Sequence, residues 1–223
     1  MLTFIITAGG IGKRMGGATP KQFLLLGGKP ILMHTIEHIH HFDTLAELII
    51  TLPEDYLKDW ERMCGKYTFE ITHTVVIGGE ERFNSIKNAL KKASGEWIAV
   101  HDGVRPFVSK EVLTKLVREV KTQWAVIPVV PMKESIRLVE GTHSTAVSRS
   151  QYQIVQTPQI FEGKLLKKAY EQKYTHSFTD DASVVESVGV SIHLISGNDE
   201  NIKITNPIDL KLAEILLQSL MTP

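Results

Sequence analysis

Between Thr7 and Phe23 the chain sets Lys13, Arg14 and Lys21 among five glycines: Gly9, Gly10, Gly12, Gly16 and Gly17. Glycine-rich turns expose backbone N–H groups, and clustered N–H groups beside fixed cations bind polyphosphate. Arg14 can fork onto two phosphate oxygens, whereas Lys13 and Lys21 act as point charges. No acid precedes Glu37, so this part of the chain suits a small anionic ligand. The stretch is not a dinucleotide fingerprint, because Met15 stands where the third glycine would be. It is not a Walker A loop, because Gly12-Lys13 is followed by Arg14 rather than Ser or Thr.

Further candidates follow later apolar runs. Gly78, Gly79 and Ser85 lie in "GGEERFNSI", which alone reads as a turn and a helix start. Asp102 ends an apolar run, with Arg105 three residues on; an Asp there can take a metal, a ribose or a substrate hydroxyl. Lys203, in "NIKIT", reads by spacing as a lysine at a strand end. Asp180 and Asp181 suit the first turn of a helix. "HTIEH" (34–38) matches a zinc-protease pattern, but no third ligand is identifiable, and His34 and His38 read as a solvated face beside a core face marked by Ile36 and Ile39. The one cysteine, Cys64, excludes an internal disulfide and reads as structural.

These residues need a scaffold, and the periodicity supplies one. Strands are expected at 2–8, 46–52, 71–77, 96–102, 124–130, 190–195 and 201–205. Helices are expected at 30–42, 54–66, 81–93, 110–122, 163–173, 180–188 and 207–219. Such alternation predicts a mostly parallel sheet with helices on both faces, a Rossmann-like three-layer α/β sandwich. The strands read as continuously apolar, as buried parallel strands do. In such sheets ligands sit at the carboxyl ends of the strands, which is where the first glycine loop, Gly78-Gly79 and Asp102 fall. Residues 132–156 break the rhythm with period-two alternation around Gly141-Thr142, which predicts an inserted β-hairpin arm. The reading is one domain over 1–223 with an arm at about 132–156.

Lys+Arg and Asp+Glu both number 25, so long-range attraction to nucleic acid or an anionic membrane is not expected. No run is long enough to span a membrane, and the start lacks the features of a signal peptide. The expectation is a cytoplasmic protein.

"AGGIGKRMG…PKQF", "VHDGVRPFV", "QTPQIF", "TDDASVVE" and "NIKIT", in this order and spacing, resemble the 2-C-methyl-D-erythritol 4-phosphate cytidylyltransferases of non-mevalonate isoprenoid biosynthesis. The resemblance covers nearly the whole chain. It implies transfer of a cytidylyl group from CTP to a polyol phosphate, with Mg²⁺ as cofactor. It implies catalytic roles for Arg14, Lys21 and Lys203. It implies nucleotide contacts from Ala8, Gly9, Gly10, Gly12, Gly78, Gly79 and Ser85. It implies acceptor contacts from Asp102, Arg105, Ser135, Arg149, Thr157 and Thr179, with Mg²⁺ held mainly by CTP phosphates and by Asp102 at most. It also implies a homodimer whose arms interlock, carrying Ser135 and Arg149 to the neighbour's substrate.

The chain departs from the family at "AGG", where Ala-Ala-Gly is usual, and at "HDGVRP", where His-Asp-Ala-Ala-Arg-Pro is usual. The first variant also occurs in ribitol 5-phosphate cytidylyltransferases, which makes acceptor identity the point to test. A CTP-binding module without chemistry is the alternative from another class; the presence of Arg14, Lys21 and Lys203 argues against it.

Overall fold

The computed structural model describes residues 1–10 and 19–221. Its frame is an eight-stranded sheet. Four parallel strands lie side by side: β6 (Trp97–Asp102), β1 (Leu2–Thr7), β4 (Glu47–Leu52) and β5 (Thr74–Ile77). Beyond β6 lies β11 (Gln159–Glu162), antiparallel to both β6 and β7 (Ala125–Pro131). β10 (Gln153–Val155) continues antiparallel along β7, and β12 (His193–Ser196) pairs parallel with it. A small hairpin, β2 (Leu25–Leu26) with β3 (Lys29–Pro30), precedes the first helix.

Strand alternation sends side chains to two cores. Phe4, Ile6, Leu48 and Ile50 pack with α1 (Ile31–Phe42), α2 (Leu57–Lys66) and α4 (Lys110–Gln123). Ile5 and Ile49 pack on the opposite face with α3 (Arg82–Leu90), α5 (Gly163–Ala169) and α6 (Asp181–Glu186). A third cluster, of Leu26, Ile31, Val104, Phe107, Ile204 and Ala213, ties α7 (Pro207–Met221) to the β2–β3 hairpin. Among the described residues no helix is long and apolar enough to cross a membrane.

The expected α/β sandwich is the observed one, with several local differences. Residues 201–205 form no strand: Ile204 N–H donates to the Val104 carbonyl at 3.0 Å, and the segment runs over the end of the sheet without pairing in it. Trp124 does not start β7 but caps α4, at φ 64°. Only 74–77 of the run 71–77 pairs as strand; before it the Ile71 carbonyl is taken by His73 Nδ1 instead of by a neighbouring strand. α5 stops at Ala169 instead of reaching 173, capped by Tyr170.

The arm is a hairpin of β8 (Ile136–Glu140) and β9 (His143–Val147), turning through Gly141 at φ 61° and Thr142. Its last predicted residues belong elsewhere, since 153–155 rejoin the main sheet as β10.

Candidate active site

Strands β1, β4 and β6 end together, and their carboxyl ends open into a cavity of about 330 Å³. Thr7, Ala8, Gly9, Gly10 and Thr51 line it from the sheet, Gly79, Glu80, Glu81, Arg82 and Ser85 from α3 and its entry loop, and Lys21, Gln22, Asp102, Val104 and Lys203 from the remaining side. Two expected site residues, Gly12 and Arg14, fall outside the described residues.

One wall is backbone. Ala8 N–H donates to the Thr51 carbonyl at 3.0 Å, which closes β1 onto β4 and brings Gly9 and Gly10 to the cavity. Gln22 is buried and donates from Nε2 to the Ala8 carbonyl at 2.6 Å. This holds the returning end of the glycine loop, and Lys21 with it, against the strand. Gly78 N–H donates to the Leu52 carbonyl at 2.8 Å, and Gly79 N–H to Ser85 Oγ at 2.9 Å. A Cβ on Gly9 would lie 3.4 Å from Ser85 Oγ, an ordinary contact, so that departure from the family's alanine only widens the cavity.

The other wall is charged. Asp102 Oδ2 lies 3.0 Å from Arg105 Nε and 3.1 Å from Lys203 Nζ. Burial alone would push this carboxyl up; Lys203, Arg82 and Arg105 together outweigh burial and hold it well below the usual carboxylate range. Asp102 is therefore an anion at neutral pH. Arg105 also donates from Nη1 to the Asn201 carbonyl at 2.7 Å, so its guanidinium lies behind Asp102.

A relay of neutral groups supports this turn. Asp102 N–H donates to Thr157 Oγ1 at 3.0 Å, Thr157 Oγ1 lies 3.0 Å from His101 Nδ1, and His101 Nε2 lies 3.0 Å from the Arg105 carbonyl. One proton arrangement satisfies all three: Thr157 donates to Nδ1, and Nε2–H donates to the carbonyl. Burial drives the His101 pKa down to about 3, so the ring stays neutral. Thr157 thus sits beneath Asp102 instead of on the cavity wall. Gly103 lets the turn close: a Cβ there would lie 2.9 Å from Leu32 Cδ1 and 3.1 Å from the Thr7 carbonyl.

Of the remaining expected residues, Thr179 lies in an adjoining hollow with Phe83 and Tyr174, reached past Arg82. Ser135 and Arg149 are exposed at the base of the arm, where Arg149 donates to the Lys133 carbonyl. His34 and His38 are half-buried and bonded to the Leu26 and Val108 carbonyls, with pKa values lowered by burial; they hold backbone and do not form the solvated face expected. Among the described residues no group of three or more His, Cys, Asp or Glu could cage a metal.

Sequence reasoning missed Arg82. It opens α3, forks onto Asp181 at 2.6 and 3.1 Å, and presents its side chain to the cavity. Asp181 is fully buried and also accepts from Tyr170 Oη at 2.6 Å. The available signal was an arginine one turn past a glycine loop at a strand's carboxyl end. Asp180 caps α6, as expected, accepting from Ser183 N–H at 2.9 Å.

Glycine turns facing Lys21, Arg82 and Lys203 across the carboxyl edge of a mostly parallel sheet form a polyphosphate pocket of the kind that defines a nucleotidyltransferase. The chain belongs to the 2-C-methyl-D-erythritol 4-phosphate cytidylyltransferase family, whose sequence profile matches residues 2–219. It is 50% identical over 216 residues to the enzyme of that name from Bacteroides fragilis, covering 96% of this chain and 99% of that protein. It is 51% identical over 214 residues to that of Phocaeicola vulgatus, covering 96% and 98%. The fold is similar to the crystal structure of 4-diphosphocytidyl-2C-methyl-D-erythritol synthase from Anaerococcus prevotii (TM-score 0.82, 27% identity, 97% and 96% of the two chains). It is likewise similar to the Thermus thermophilus cytidylyltransferase (TM-score 0.79, 29% identity, 97% and 98%).

Proposed function

We propose that this chain transfers the cytidylyl group of CTP to 2-C-methyl-D-erythritol 4-phosphate and releases pyrophosphate. The observation that carries the reading is the Asp102–Lys203 pair sharing one cavity with the Gly9–Gly10 turn and the Gly79–Ser85 loop, in a chain of this family. An oxygen of the acceptor's phosphate attacks the α-phosphorus of CTP. A new P–O bond forms, the bond to the β-phosphate bridge breaks, and its electron pair leaves with pyrophosphate. Both reactants are anions, so the protein's work is alignment and charge neutralisation.

The residues divide accordingly. Ala8, Gly9, Gly10 and Gly12, with Gly78, Gly79 and Ser85, hold the nucleotide. Arg14 and Lys21 grip the triphosphate, and Lys203 neutralises charge at the α-phosphate. The Asp102 carboxylate accepts a hydrogen bond from an acceptor hydroxyl. Arg105 fixes Asp102, and Thr157 acts through the same turn. Thr179 borders the acceptor end beside Arg82.

The donor set fits Mg²⁺ carried on phosphate, since Mg²⁺ binds one or two carboxylates plus substrate phosphates and Asp102 lies on the wall. Asp102 would be the protein's contribution to holding it, and when bound it would supply positive charge against the phosphates. The arm joins two copies into a homodimer, and Ser135 and Arg149 serve the neighbour's acceptor phosphate.

Pyrophosphate release with CTP and Mg²⁺ tests the reading. Turnover with methylerythritol phosphate and little with ribitol 5-phosphate is the expected result. The reverse preference would move the chain to the ribitol 5-phosphate class, and CTP binding without turnover on either acceptor would make it a binding module.

A further inference from the structure

Three buried side-chain atoms among the described residues have no hydrogen-bond partner: Thr51 Oγ1, Gln156 Oε1 and Asn201 Oδ1. Thr51 alone of these residues lines the active-site cavity. It is fully buried near the end of β4. Along that strand Leu48, Ile50 and Leu52 join the α1 face while Ile49 joins the α3 face. Alternation therefore turns the Thr51 side chain toward α3 and Ser85.

The neighbouring hydroxyls are engaged. Thr7, in register with Thr51 on β1, donates to the His101 carbonyl at 3.3 Å. Ser85 Oγ accepts from Gly79 N–H and donates to the Glu81 carbonyl at 3.1 Å. A valine at position 51 would fill the same volume without burying an unpaired hydroxyl, so retaining the threonine costs the free protein stability.

We propose that Thr51 Oγ1 is a hydrogen-bond partner of the nucleoside part of the bound nucleotide. This rests on reading the cavity as a nucleotide site. Thr51 stands with Gly9, Gly79 and Ser85, across from the Asp102–Lys203 wall that faces the phosphates. A pyrimidine base carries both donors and acceptors on its edge, and a hydroxyl can pair with either.

The test compares wild type with Thr51→Val and Thr51→Ser, by calorimetric titration with CTP and with CMP and by thermal melting of the ligand-free protein. The expected result for Thr51→Val is a rise in Kd of about 5–10-fold for both nucleotides. Its ligand-free Tm should rise by about 1–3 °C, because an unpaired polar group is removed. Thr51→Ser, which keeps the hydroxyl, should recover most of the affinity. Unchanged affinity in Thr51→Val would overturn the assignment, as would a loss for CTP but not CMP, which would point to phosphate. Weaker binding with a lower Tm would also overturn it, making the hydroxyl structural. Wild-type protein that takes up no CTP would instead remove the nucleotide reading itself.

Discussion

The Lys203 ammonium lies 3.1 Å from Asp102 Oδ2, over the turn that ends β6, although the segment carrying it pairs with no strand among the described residues. The lysine is half-exposed while the carboxylate is buried. Lys203 can therefore lean toward an incoming phosphate and leave Asp102 to Arg105.

That geometry makes Lys203→Ala a mutation of rate more than of fold. Arg105 remains on Asp102, so Tm should stay within a few degrees of wild type. Loss of a cation facing developing charge should lower kcat by ~10²–10³. Lys21→Ala should behave alike. Losing Lys203 also lets the Asp102 pKa rise toward its ordinary range, so the acid limb of the pH–rate profile should move to higher pH. Steady-state pyrophosphate release with parallel melts checks this. A fall in Tm that accounts for the lost activity would make Lys203 only a counterion.

His101 gives a stability signature. Burial lowers its pKa from an ordinary 6.5 to about 3, so between these values the unfolded chain holds a proton that the folded one does not. Stability must then fall as pH drops below about 6.5, by at most ~1.4 kcal/mol per pH unit from this group. His34 and His38, also lowered by burial, act in the same direction. Urea midpoints at pH 7.5 and 5.5 should show the loss. His101→Gln, which does not titrate there, should show a shallower dependence, whereas an equal slope in both proteins would exclude His101 as a source.

The Arg82–Asp181 pair should respond asymmetrically. Asp181 is fully buried, whereas the Arg82 side chain is one-third exposed. Arg82→Met strands a buried carboxylate, which should cost about 3–5 kcal/mol at pH 7. Asp181→Asn leaves an arginine that can turn to water and should cost less. Denaturant melts at pH 7 check both, and equal losses would contradict the ordering.

Which parts of this were legible in the sequence follows from how each residue is held. Strands β1, β4 and β6 were readable because both their faces are buried and the runs are apolar. The cavity residues on strand ends, from Ala8 to Asp102, were readable because their place follows from topology alone. β11 was not, since "QIFE" is four residues whose antiparallel partners are set at long range. "NIKIT" has strand-like composition, but tertiary contacts to Val104 hold it as an unpaired crossing. The place of Thr157 beneath Asp102 and the fork of Arg82 onto Asp181 rest on hydrogen bonds spanning 55 and 99 residues; the glycine loop before Arg82 signals its nearness to the cavity but not its partner.

The arm carries the last prediction. Among the described residues β8 and β9 pair with each other and with no other strand, leaving Leu138 53% and Val139 67% exposed. An isolated two-stranded hairpin is marginal in water, so the expected partner is a second copy, which would present the same apolar strip by two-fold symmetry. If Arg149 reaches the neighbour's site, a Lys21→Ala homodimer and an Arg149→Ala homodimer are each inactive for different reasons. Mixed and allowed to exchange, they form a heterodimer in which one site has its own Lys21 and the partner's Arg149 intact. Activity should return to roughly a quarter of wild type, the share of intact sites after random exchange of equal amounts. Light scattering should show a dimer throughout, and replacing 136–147 by a short turn should give an inactive monomer. An active monomer, or no recovery on mixing despite exchange, would confine catalysis to residues of a single chain.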